Sequence, residues 1–110
     1  MNLNRRETVY SSGKEYLYTT AGAIMDAVTL DATKFNGQVK AGTALSIQAN
    51  GKAKPWEDVD IGRAVILDRT EKVDGQDISS TCLIAGIVRE SKCTGLTNAF
   101  KEKTKNIDYL

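Results

Sequence analysis

Glu57, Asp58 and Asp60 form the densest carboxylate group in the chain, and a carboxylate group suggests first a hard cation such as Ca²⁺ or Mg²⁺. A calcium loop of the EF-hand type needs oxygen ligands at fixed offsets and a closing glutamate. The run Asp58-Val59-Asp60-Ile61-Gly62 lacks the remaining ligands and that glutamate, so it reads as a solvated acidic loop. Asp74-Gly75-Gln76-Asp77 invites the same metal reading, but Asp-Gly is already explained by turn geometry. No metal site is expected. Cys82 and Cys93 are the only cysteines, too far apart for a CxxC pair and without the Cys/His company of a zinc site, so they are expected as reduced, partly buried thiols.

The count that decides most is zero histidines. It removes Ser-His-Asp, Cys-His and HExxH chemistry, since imidazole is the usual general base near neutral pH and the commonest transition-metal ligand. Catalysis by Asp58, Asp60 or Lys54 in a cleft survives as an alternative, which requires displaced carboxylate pKa values and a pocket beside them. The nine glycines are spread singly, so neither GxGxxG nor a P-loop is present and no cofactor is expected. The reading is therefore that the chain is not an enzyme.

Binding chemistry offers more. Lys52, Lys54 and Trp56 could serve as a basic and aromatic platform for single-stranded nucleic acid, yet one aromatic with two lysines beside an acidic cluster falls short of that design. A net charge of +1, from 15 Lys+Arg against 14 Asp+Glu, likewise favours neither nucleic acid nor an anionic membrane. Tyr10, Tyr16, Tyr18 and Trp56 are candidate interface anchors, because aromatic side chains give large contact area at low entropic cost; core packing is the competing role.

These residues must be positioned by the rest of the 110-residue chain, which is the length of one domain. Residues 1–13 are polar and read as an arm, and residues 14–110 as a single β-rich domain. The start carries charges without a following apolar stretch, so it does not read as a secretory signal, and no apolar run approaches a membrane span; the chain reads as cytosolic when made. Residues 15–19 and 23–32 each read as a strand. Residues 43–48 alternate Thr43, Leu45 and Ile47 with Ala44, Ser46 and Gln48, the pattern of a half-buried strand. Asn36-Gly37 and Asn50-Gly51 predict hairpins with type I′ turns. Residues 52–55 form the return strand, which Pro55 ends. Residues 61–67 and 78–88 are the central strands, and Gly86 predicts a bulge or bend in the second. Leu96, Phe100, Ile107 and Leu110 fall close to one helical stripe, predicting a short C-terminal helix from about residue 97, with Thr94 or Thr97 as its cap.

From Lys40 onward the features follow a particular order: Ala41-Gly42-Thr43-Ala44-Leu45, then Asn50-Gly51-Lys52, then Asp60-Ile61-Gly62-Arg63-Ala64-Val65, then Cys82-Leu83-Ile84-Ala85-Gly86-Ile87-Val88. This order resembles the lambda-type phage head decoration (capsid cement) proteins, over about half the chain, residues 40–90. The resemblance implies a mainly β fold, a small partly open β-barrel (β-tulip-like) with an extended N-terminal arm. It implies a homotrimer seated at local threefold positions of the expanded head, bound to the major capsid protein on the outer capsid surface of the virion. It also implies that the arm, here Asn2, Leu3, Asn4, Arg5, Arg6, Glu7, Thr8, Val9 and Tyr10, adds a strand to the capsid, as a polar segment without proline can do. Two departures stand out: the part before residue 40 matches loosely, and the chain is expected to end in a charged helix and not in a plain strand. The alternative is another small β-barrel module binding protein or glycan, such as a phage tail or adaptor protein, with Trp56 as its strongest glycan-stacking candidate.

Overall fold

The computed structural model describes residues 15–110. The expected arm, including Tyr10, lies outside the described residues.

The elements run β1 (Leu17–Leu30), β2 (Gly37–Val39), β3 (Ala44–Ile47), β4 (Ala53–Pro55), β5 (Arg63–Leu67), β6 (Glu71–Val73) and β7 (Ile78–Val88), then a 3-10 turn (Glu90–Lys92), helix α1 (Asn98–Lys103) and β8 (Ile107–Tyr109). The fold is mainly β, as expected. Six strands form one sheet in the order β1-β4-β3-β5-β7-β8, and β1 also pairs with β7, so the sheet curls until it is partly closed. β2 and β6 make a separate two-stranded ribbon.

The closing seam between β1 and β4 is a single parallel residue pair, Leu30 with Ala53. Polar ties around it do the rest: the Asp31 N–H donates to Ala53 O at 3.1 Å, Ala32 N–H to Asp77 Oδ1 at 2.8 Å, and Lys52 meets Asp77 at 2.7 Å. Hydrogen bonds from Ala32 and Lys52 hold the Asp77 carboxyl below its usual range.

The two strands expected within residues 15–32 are one. β1 keeps its antiparallel partner β7 throughout, but its register jumps: Thr19 pairs with Ile87 and Ile24 with Ala85, so residues 20–23 face Gly86 alone. The bulge lies on β1, and Gly86 receives it, since a side chain there would come within 3.4 Å of the Ala23 Cα. Asn50-Gly51 does join β3 to β4, but not through a type I′ turn. Only Gly51 has positive φ, at 84°, and Gln48 N–H bonds to Lys52 O across a three-residue loop closed by a left-handed glycine. Asn36-Gly37 makes no hairpin, because Gly37 opens β2 and the partner of β2 is the distant β6.

The end of the chain departs further from expectation. Thr97 caps α1, accepting from the Phe100 N–H at 3.2 Å, but the helix stops at Lys103 and Ile107 belongs to β8. β5 does not pair with β7 beyond Leu83, and along that edge the Gly86 N–H donates to Asn106 O at 3.1 Å while Ile107–Tyr109 pair with Gly86–Val88. The expected short C-terminal helix is therefore present as α1, but a strand, β8, follows it, where the charged helix was expected to end the chain.

Both faces of the sheet are covered. One carries Tyr16, Leu17, Ala44, Trp56, Ile66, Leu83, Val88, Phe100 and Ile107; the other carries Val28, Leu30, Val39, Leu45, Ala53, Val65, Leu67, Val73 and Cys82. Successive residues of β3 enter opposite clusters, Ala44 one and Leu45 the other, so this strand is buried on both sides and not half-buried as its alternation suggested.

Candidate interaction surface

Two of the three described aromatic anchors lie inside. Tyr16 is 1% exposed, packed in the core, with its hydroxyl donating to the buried Asp68 carboxylate. Burial, that hydrogen bond and the Asp68 charge all push its phenol pKa far up. Trp56 is 7% exposed and meets Phe100 edge to face at 5.3 Å. Neither ring offers a face to a partner. Of the two roles the sequence left open, both rings take core packing, where a large ring buries much apolar area. Tyr18 is different: it alternates with the buried Leu17 on β1 and is 51% exposed, with the Arg89 guanidinium 5.3 Å from its ring centre.

The acidic loop is not merely solvated. Asp58 accepts from Trp56 Nε1 at 3.0 Å and from the Thr97 hydroxyl at 2.6 Å, which ties the loop to the cap of α1. Asp60 accepts from Lys54 Nζ at 3.0 Å and from the Glu57 N–H at 2.7 Å. Burial works to raise the Asp60 carboxyl, but the bonds from Lys54, the Glu57 N–H and Ser46 outweigh it and hold the group below the usual carboxylate range. These carboxylates are thus committed to structure, and Lys54 with them. Among the described residues no group of three or more Cys, Asp or Glu is placed to hold a metal ion.

Gly62 clamps the loop from its other end. An added Cβ would sit 2.2 Å from the Ile47 carbonyl oxygen, so the backbone lies directly on β3. With its ends fixed, the loop turns two β-branched side chains outward, Val59 at 85% and Ile61 at 96% exposure. The expected strand 61–67 thus begins two residues late, and Ile61, its expected first residue, is on the surface. Its signal in the sequence was Asp-Val-Asp-Ile-Gly, where Val59 stands between two acids and Ile61 between an acid and a glycine.

Beside Ile61 a cleft of about 430 Å³ opens between residues 62–64 and 103–106, with Ile84 in its wall. Its cations are Arg63, Lys103 and Lys105. Arg63 pairs with Asp26 at 3.3 Å, both about half exposed. Lys103 bonds to the Asp60 main-chain oxygen at 3.3 Å and lies 5.7 Å over the Trp56 ring, without a carboxylate partner among the described residues. The sequence did not single these residues out, because Arg63 is far from Lys103 and Lys105 along the chain.

Two further clefts, of about 490 and 470 Å³, flank Lys40; the first includes Cys93, whose thiol burial pushes up to about 11, the opposite of a reactive thiolate. Comparison with protein-family models and with curated proteins finds no match to this chain.

Proposed function

We propose that this domain works by binding a protein surface, and that the surface is an expanded phage head, which it decorates as trimers at local threefold positions on the outside of the virion. The observation that carries the reading is the run of residues 40–90: the segments similar to the decoration family fall on β3, the β3–β4 hairpin, β5 and β7, strands that lie side by side in one sheet. The action is mechanical. A protein that binds only the expanded shell stabilises that form by mass action and holds neighbouring subunits against internal DNA pressure, with no cofactor. Ordering the arm of residues 2–10 costs ~1–2 kcal/mol per residue, so one arm binds weakly while three on one trimer gain from effective concentration. The glycan alternative loses support, because Trp56 is inside.

The test is co-sedimentation with expanded, undecorated shells, with unexpanded shells and a variant lacking residues 2–12 alongside. Saturable binding to expanded shells alone, lost with the arm, is the expected result. Full-length protein that stays in the supernatant with every shell overturns the reading.

A further inference from the structure

Between residues 62–64 and 103–106 the surface opens into a cleft. Its walls combine an apolar side chain, Ile84, with Arg63, Lys103 and Lys105, and the almost wholly exposed Ile61 directly precedes the lining residue Gly62 in the chain. Among the described residues these three cations have one carboxylate partner, Asp26, so the cleft has a positive excess there that an incoming anion lowers in energy. A small inorganic anion would leave the apolar part unused. A nucleic acid strand would want aromatic faces for its bases, and the aromatic ring at hand, Trp56, is already buried beneath Lys103. What fits both halves is a peptide segment that alternates carboxylates with aliphatic side chains.

We propose that this cleft, with Ile61 beside it, is a docking site for an acidic, aliphatic segment of a partner protein; the proposal rests on the reading that the domain binds protein, and names the part of the body that does so. The carboxylates of the segment meet Lys103 and Lys105, and an aliphatic side chain covers Ile61 and Ile84. The loop needs no ordering on binding, since Gly62, Asp58 and Asp60 already fix it.

The experiment titrates isotope-labelled full-length protein with the peptide acetyl-Glu-Leu-Asp-Ile-Glu-Leu-Asp-Ile-amide, followed by NMR. The same peptide with lysine at every acidic position and a ten-nucleotide oligothymidine are the controls. Shifts confined to the amides of Ile61, Arg63, Ile84 and Lys105, at least tenfold weaker binding in Lys103→Glu/Lys105→Glu, and unchanged binding in Lys34→Glu/Lys72→Glu, which alters net charge equally, support the proposal. Lys103→Gln/Lys105→Gln replaces the reversal if the latter disturbs the spectrum elsewhere. No shift at the cleft, equal shifts with the lysine peptide, tighter binding of the oligothymidine there, or equal losses in both reversal variants overturn it. Shell sedimentation separates the two claims. A reversal variant that still binds expanded shells as the wild type does overturns the cleft as the contact, whereas wild-type protein that ignores shells but takes the acidic peptide removes the capsid and keeps the cleft.

Discussion

The two clusters on opposite faces of the sheet are assembled from different material. One is aliphatic apart from Cys82 and draws on all seven strands from β1 to β7, each giving one or two residues. The other contains Tyr16, Trp56 and Phe100 and is closed by pieces from the margins of the domain: the start of β1, the acidic loop, α1 and β8. On this second side polar groups go inside, the Tyr16 hydroxyl on Asp68 and the indole N–H on Asp58 and Thr97. An aliphatic cluster is held by area and packing alone, whereas an aromatic one with polar tips also fixes orientation, and so positions the loop that carries Val59 and Ile61.

Truncating each cluster at its centre tests that difference most strongly. Phe100→Ala is expected to cost about 3–5 kcal/mol and Leu45→Ala about 2–5 kcal/mol, read from urea unfolding. If the faces form one cooperative unit, Trp56 fluorescence and far-ultraviolet circular dichroism move together in both variants; a Trp56 transition that precedes the other in Phe100→Ala but not in Leu45→Ala divides them. Next comes Gly62→Ala. Its methyl must displace the Ile47 carbonyl, at about 1–3 kcal/mol of overpacking, and the accompanying amide shifts should fall on residues 46–47 and 57–62. A neutral outcome would show that the loop is not clamped.

Tyr16→Phe removes one hydrogen bond to a buried carboxylate and is expected to cost about 1.5–3 kcal/mol. It also has a signature in pH. Burial pushes Cys82 and Cys93 from 9.0 up to about 11 and Tyr109 from 10.0 to about 12, and pushes Tyr16 higher still. Each is neutral when protonated and resists ionising in the fold. The stability they hold is therefore complete below pH 9, falls from there as the cysteines of the unfolded chain ionise, and falls again above pH 10 with the tyrosines. Urea midpoints at pH 7.5, 9 and 10.5 should decline in that order, with a shallower last step in Tyr16→Phe; equal midpoints would contradict the burial of these groups. The smallest effect is expected at the seam, where Lys52→Met removes an exposed ion pair with Asp77 and should lower the midpoint temperature only slightly.

What the sequence determined by itself was local. Alternation in residues 43–48, the apolar runs 64–67 and 82–88, Pro55 as a strand end, Gly51 at a turn and Thr97 as a cap all act through the backbone of a few neighbouring residues, and each was legible for that reason. Tertiary structure decided whatever depended on a distant partner. Asn36-Gly37 became the entry to β2 because β6 lay beside it, the helical stripe at Ile107 gave way to the open edge of β7, and Tyr16 and Trp56 went inside because Asp68, Asp58 and Thr97 were there to receive their polar tips. The cleft is the extreme case, since Arg63 and Lys105 lie far apart in sequence and only the curl of the sheet brings their charges to one place, where no spacing rule reaches.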